Sequence, residues 1–327
     1  MTAATWLPSE KSSWSQLRIG SVTLFGWSAG GIAAGFHLLS PGSENLFARV
    51  IIQSAGVTNS DRTLSTATIL DYTKQFAQMF GCYNESEGGN GSSESVECLR
   101  RLDATLISSV EQTFVDQGAG QFKPIYGDEF LPVDNSKAPF PGDKDVIIGH
   151  VANEGSMMIY ESFRDTFSQV LPPREINKAE SIHYLGSLYS DLPLAGVLKI
   201  QDEYMNSIND FDYDALRQAF VQTKSDSRVI CGTFITASKL SNATAAGNTG
   251  KGVYVYELDY VSRCNKRPSW IGMTHADETP LEFGRPYDRE SGCKADIPFS
   301  RKLINVWTNF AKGRMSCIVL VTLAVIL

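Results

Sequence analysis

Ser21-Val-Thr-Leu-Phe-Gly-Trp-Ser-Ala-Gly-Gly-Ile-Ala-Ala-Gly-Phe-His-Leu-Leu39 is the stretch on which the fold turns. Residues 21–25 are β-branched and apolar and then meet Gly26, the pattern of a buried strand. Residues 29–39 read as a helix rich in small residues, stopped by Ser40-Pro41-Gly42. Between the two, Gly26-Trp27-Ser28-Ala29-Gly30 fits G-x-S-x-G in its strand–turn–helix setting. A serine on so sharp a turn presents its hydroxyl clear of the sheet. Gly26 and Gly30, lacking Cβ atoms, are expected to let strand and helix approach. The amide of Ala29 then sits at the positive end of the helix, a donor for an oxyanion. Read blandly, the same residues are a small-residue helix start that happens to contain a serine.

Outward from this turn, Arg49–Gln53, Asp145–Gly149 and Gly252–Leu258 read as further strands. Helical spacing covers residues 64–81 and 299–312, the latter with Leu303, Val306, Trp307 and Phe310 on one face. Residues 83–97 read as a hydrophilic loop, and residues from about 160 to 245 as helices and loops. Strands alternating with long helical segments indicate an α/β fold on a parallel sheet. The chain has 327 residues, 43% apolar and 20% charged, which suits one large folded domain or two smaller ones. The net charge of −7 and the lack of a long basic run argue against nucleic-acid binding. No phosphate-binding GxxxxGK[ST] run and no close Cys pair of the zinc type occur, so neither cofactor nor metal is expected.

A serine nucleophile needs a base and an acid that orients the base. The histidines are His37, His150, His183 and His275. His37 lies in the helix after the turn, His150 directly follows a strand, and His183 lies in a helical segment. His275 lies in a loop after the last of the strands above. In hydrolases with this turn the order along the chain is serine, acid, histidine. That order selects His275, with Glu154, just past a strand in Asn153-Glu154-Gly155, as the acid. Taken singly, each of these residues reads as a surface or capping residue.

Six blocks in order resemble the type-B carboxylesterase/cholinesterase family of α/β-hydrolases. They are Ser21–Gly30; His37–Ser43 continuing into Leu46–Gly56; Phe122-Lys-Pro-Ile-Tyr-Gly-Asp-Glu-Phe-Leu-Pro132; Asn153-Glu154-Gly155; His275-Ala-Asp-Glu-Thr-Pro-Leu-Glu-Phe-Gly284; and Trp307-Thr-Asn-Phe-Ala-Lys312. The resemblance implies a partial α/β-hydrolase domain over residues 21–312, with a mostly parallel central sheet flanked by helices. Residues 1–20 are an unmatched segment and 313–327 an apolar tail. It implies Ser28 as nucleophile, Glu154 as acid, His275 as base, Ala29 as oxyanion donor and Ser54 as a serine supporting the triad. The family usually carries glutamate where this chain has Trp27, which argues for neutral esters over cationic ones. The family's upstream region, with its Gly-Gly-Gly-Phe oxyanion loop, is not matched, so the strand before Ser28 is expected at a sheet edge with apolar faces uncovered. The implied partner is a small-molecule ester. The alternatives are a catalytically inactive fragment, or a neuroligin-like adhesion protein on the same scaffold; no oligomeric state is implied.

The resemblance also pairs Cys82 with Cys98 in a disulfide around the hydrophilic loop, and gives Cys231 a partner in a C-terminal part not seen here. Whether Cys264 and Cys293, flanking the His275 loop, pair is left open, and Cys317 has no assignment. Asn84, Asn90 and Asn242 head N-x-[ST] sequons. Disulfides and sequons suit a secreted or membrane-anchored parent, although Met1–Trp14 has neither part of a signal peptide. Met315–Leu327 is uncharged and shorter than the roughly 20 residues of a membrane span. It reads as the tail of a lipid-anchor signal, allowing membrane association, or as a chain end left by truncation or altered splicing.

Overall fold

The computed structural model describes residues 19–83, 93–116, 122–168, 174–314 and 323–326. Along the chain, β1 is Thr23–Trp27, β2 Arg49–Gln53, β3 Leu64–Ser65, β4 Ile125–Tyr126, β5 Asp145–Val151, β6 Val253–Leu258 and β7 Leu323–Ile326. The chain is divided into two compact units, each seen here only at its described residues. The first draws on Met1–Leu38, Ser43–Thr58 and Phe140–Leu327, the second on Leu39–Gly42 and Asn59–Pro139.

The first unit is built on a sheet of order β1-β2-β5-β6-β7. The first four strands run parallel, in a register that aligns Trp27 with Gln53 and Gln53 with Gly149. Continuous apolar runs mark strands covered on both faces, and the two that show them, Val50-Ile51-Ile52 of β2 and Val146-Ile147-Ile148 of β5, are buried along that run. β1 stands at the edge, as expected, with Phe25 41% exposed. On one face, the helix Ile297–Ala311 lays Trp307 against Tyr256 and Phe310 against Tyr254. Its buried stripe is Leu303, Val306, Trp307 and Phe310, the face expected from the sequence. The helix Cys231–Gly247 packs on β5 and β6 and takes the Val57 amide on Thr236 Oγ1 at 3.1 Å. A second core gathers Ile159, Phe167, Leu185, Phe220 and Trp270 from the helices between β5 and β6 and from the loop after β6. The sheet is mostly parallel and flanked by helices, the α/β arrangement expected from the sequence.

Two expectations change. Residues 83–97 are not loop throughout, because a helix runs over Ser93–Arg100. Its glutamates, leucine and arginine are good helix formers hidden by a hydrophilic composition, and Glu97 pairs with Arg100 one turn on. In the apolar tail, Leu323–Ile326 form β7, antiparallel to β6 with Tyr256 opposite Val325. Among the described residues no helix is long and apolar enough to cross a membrane.

The second unit packs Phe76 against Phe80, Phe114 and Phe122, chiefly edge to face. β3 and β4 pair beside it, and Cys82 and Cys98 form a disulfide across 16 residues. At the Tyr126-Gly127-Asp128 bend, Gly127 has φ +95°. Asp128 there accepts the amides of Phe130 and Leu131.

Candidate active site

Parallel strands end on the same side of a sheet, and loops leaving those ends converge. Ser28 follows β1, Ser54 follows β2, Glu154 lies three residues past β5, and His275 lies in the loop after β6. All belong to the first unit.

Ser28 has φ 53°, in the left-handed region that disfavours residues with a Cβ. The turn is held from both sides: the Ser28 amide donates to Gln53 O at 2.9 Å, and Ser28 O accepts from Ile32 at 3.0 Å. The helix begins at Ala29, so the Ala29 amide precedes the first intrahelical bond and is exposed at the positive end of the helix. The glycines divide the work differently from the expectation. A Cβ on Gly26 would lie 2.1 Å from Gly30 O, and one on Gly31 would lie 2.8 Å from Ala55 Cβ, whereas one on Gly30 would meet nothing. The close approach therefore rests on Gly26 and Gly31. The motif spacing missed Gly31 because it is the first turn of the helix, not the elbow itself, that meets the chain after β2.

The loops bearing Glu154 and His275 are zipped together. The Asn153 amide donates to Met273 O at 2.9 Å, and Asn153 Oδ1 accepts from the Met273 amide at 3.2 Å. Gly272, with φ +58°, leaves the room that Asn153 Oδ1 occupies. From below, Ser225 Oγ accepts the Gly155 amide at 2.8 Å. Asp277 accepts the Thr274 amide at 3.0 Å and pairs with Arg267, bracing a turn in which Ala276 has φ 83°. Cys264 and Cys293 are joined, closing the segment that carries His275.

The result is a relay. His275 Nε2 lies 2.8 Å from Ser28 Oγ, and His275 Nδ1 lies 2.6 Å from Glu154 Oε2. Glu154 is fully buried and its other oxygen accepts the Val151 amide at 3.0 Å, which fixes its plane. The imidazole side chain keeps 18% exposure. With a buried carboxylate beside Nδ1, the tautomer that donates from Nδ1 is the one that leaves Nε2 as an acceptor for the Ser28 hydroxyl. Trp27 lies over the imidazole, ring centres 4.7 Å apart, and its buried Nε1 has no hydrogen-bond partner among the described residues.

A set of buried polar groups lies beside the relay. Ser54 has φ 51°, and its hydroxyl donates to Glu278 Oε1 at 3.2 Å. Burial, with the Glu154 charge nearby, pushes the Glu278 carboxyl up to about 8. Glu282 Oε2 accepts from Gln53 Nε2 at 2.8 Å and from Trp307 Nε1 at 3.0 Å, and burial raises its carboxyl to about 7. Gln53, Ser225, Glu278 and Glu282 were not singled out from the sequence. Glu278 and Glu282 stand four apart just after His275, and that spacing was the available signal.

The remaining histidines lie apart from this relay. His37 Nδ1 meets Ser43 Oγ at 2.8 Å, His150 Nδ1 meets its neighbour's carbonyl, and His183 packs on Tyr184. Asn242 is exposed on the helix Cys231–Gly247, and Cys231 is a free, exposed thiol at its start. Asn84, Asn90 and Cys317 lie outside the described residues. Among the described residues no cluster of His, Cys, Asp and Glu could hold a metal. Compared with known families, residues 20–315 match the sequence profile described as the Carboxylesterase family.

Proposed function

Because the chain belongs to the carboxylesterase family, a family of ester hydrolases, we propose that Ser28, His275 and Glu154 hydrolyse carboxylic esters through an acyl-enzyme. The observation that carries this reading is the unbroken line from Glu154 Oε2 through His275 to Ser28 Oγ, at 2.6 and 2.8 Å. Ser28 Oγ attacks the ester carbonyl carbon while its proton passes to His275 Nε2. The carbonyl oxygen becomes an oxyanion and takes the Ala29 amide. Glu154 stabilises the imidazolium and keeps its orientation. Collapse of the tetrahedral adduct breaks the bond to the alcohol oxygen, which leaves with the proton from Nε2. Water repeats the sequence on the acyl-serine: its proton goes to His275, the Ser28–acyl bond breaks, and Ser28 regains a proton as the acid departs.

Trp27 supports a preference for neutral esters, since an uncharged indole lies against His275 where a carboxylate would attract cations. The disulfides suit an oxidising compartment. The reading thus extends to a secreted or membrane-anchored parent, glycosylated at Asn84, Asn90 or Asn242, with the tail after residue 312 as the membrane contact. The test is a burst experiment with p-nitrophenyl acetate. Release of about one p-nitrophenolate per chain, with an acetyl mass increment on the Ser28 peptide, is expected. Steady hydrolysis without an acylated Ser28 would remove the mechanism.

A further inference from the structure

Ser28 and His275 ride on separate loops, and their single hydrogen bond does not set the spacing of those loops. Productive proton transfer needs such groups held within about 0.5 Å. Some other contact must therefore register the histidine loop against the nucleophile strand. Two links do so: Ser54 Oγ donates to Glu278 Oε1, three residues after His275, and a second path runs through the Gln53 side chain. The Ser28 amide is bonded to Gln53 O. The Gln53 side chain donates to Glu282 Oε2. Glu282 stands seven residues after His275, in the helical turn Thr279–Glu282. Trp307 Nε1 donates to the same oxygen, tying this turn to the helix over the sheet. Gln53 is fully buried and Glu282 is buried.

The choice of residue is informative. A buried carboxylate is costly, and an apolar side chain of similar size at such a place is often neutral or stabilising. Its hydrogen-bond partners, Gln53 and Trp307, are neutral, so no cation offsets that cost through a direct bond. Burial is what disfavours its charge, and the titratable groups near it bring no positive charge. Glu278 shares its turn, Tyr256 comes from β6, and Glu154 enters from the loop after β5; all are neutral or acidic, and Tyr256 interacts with all three carboxyl groups. What the carboxyl brings that an apolar side chain cannot is one acceptor for N–H groups from two separate elements. We infer that Glu282 is a positioning residue, joining the turn after His275 to Gln53 and so setting Ser28 against His275. This rests on reading Ser28 and His275 as the reacting pair. Oε2 accepts both N–H groups whether or not the carboxyl is protonated, so the joint needs an acceptor rather than a charge.

The test compares Glu282→Leu, Glu282→Gln, Gln53→Leu and the double substitution Gln53→Leu/Glu282→Leu in the full chain. Reaction of Ser28 with a fluorophosphonate probe is followed against probe concentration, separating the bond-forming rate from probe binding. Glu282→Leu should lower the bond-forming rate by tenfold or more and leave probe binding within about twofold. Glu282→Gln should restore most of that loss, and the double substitution should be no slower than Glu282→Leu alone. A folded Glu282→Leu chain with the parent's rate overturns the inference, as does failure of glutamine to rescue, or additive effects of the two leucines. If Glu282→Leu does not fold, as judged by near-ultraviolet dichroism, Gln53→Leu breaks the same joint from the other side and is held to the same outcome. A second readout is independent of reactivity. The nitrogen chemical shift of His275 Nε2, the atom facing Ser28 Oγ, should be unchanged in Glu282→Gln and move in whichever leucine variant folds; an unmoved shift there overturns the inference. An unlabelled parent chain would instead remove the reading of Ser28 as nucleophile, leaving this resonance to decide the positioning.

Discussion

Ser28 and Ser54 occupy the same structural position on neighbouring strands: each directly follows its strand, with φ 53° and 51°. Each donates its amide one strand further along, to Gln53 O and Gly149 O. Backbone strain of this kind costs about 1–3 kcal/mol per residue and persists where the surroundings impose it. The two hydroxyls then take different partners, His275 for Ser28 and Glu278 for Ser54. If the triad reading holds, Glu154→Gln should lower the turnover number about 10⁴-fold with the fold intact, because the neutral amide no longer enforces the Nδ1–H tautomer. Ester turnover together with circular dichroism checks this, and loss of fold would leave the carboxylate's role structural. Trp27→Glu should raise the ratio of cationic to neutral ester turnover; competition between a choline ester and its neutral isostere measures it, and an unchanged ratio counts against Trp27 as a determinant. Ser28, Glu154 and His275 were legible in the sequence because each ends or follows a strand in a recognisable order. Glu278, Glu282 and Gln53 were not: two carboxyls four residues apart look like a solvated face, an amide ending a strand looks like its exposed end, and only the tertiary fold shows all three buried.

At the scale of elements, the elbow depends on which glycines face a neighbouring chain. Gly30→Ala has open space and an intrinsic helix gain of up to about 1 kcal/mol, so it should leave stability unchanged or raised. Gly26→Ala cannot be placed without moving backbone, since its Cβ would lie 2.1 Å from Gly30 O; it should destabilise by roughly 1–3 kcal/mol. Urea denaturation of the two variants checks the contrast, and equal effects would contradict the packing described. The disulfide Cys264–Cys293 closes a separation of 29 residues, for which loop closure predicts a contribution of about 3–4 kcal/mol. Cys264→Ser should lower the unfolding midpoint and, because His275 lies within the closed segment, also weaken Ser28 labelling; a lower midpoint with full labelling would show that the bridge stabilises without shaping the site. The strands of the main sheet up to residue 258 and the last helix were readable because apolar runs and one-sided stripes report burial directly. The helix Ser93–Arg100 was hidden by its polarity, and β7 by an apolar run too short and uniform to distinguish strand from tail.

Across the whole molecule, the buried acids set a pH dependence of unusual sign. Paired surface carboxylates usually have lowered values and lose their contribution in acid; Glu278 and Glu282 are raised, to about 8 and about 7, chiefly by burial. Between the ordinary carboxylate range and these values the folded chain binds more protons than the unfolded one. Stability contributed by these groups is therefore present at low pH and is lost as pH rises from about 4.5 to about 8, by up to roughly 1.4 kcal/mol per unit for each group. Urea melts at several pH values should show this fall, flattened in Glu278→Gln/Glu282→Gln; stability that rises through the same window would contradict the burial of these groups. The parallel sheet explains why such a cluster exists: its strand ends bring Gln53, Ser54 and Glu154 together beneath the loop of His275. On the proposed reading, this convergence is what makes Ser28 a nucleophile. The most direct measurement is intact and peptide mass spectrometry of the folded chain after exposure to a fluorophosphonate. A single adduct on Ser28 is expected, absent in Ser28→Ala and slowed by several orders of magnitude in His275→Ala. A folded chain that acquires no adduct, or one whose labelling survives Ser28→Ala, would contradict that reading.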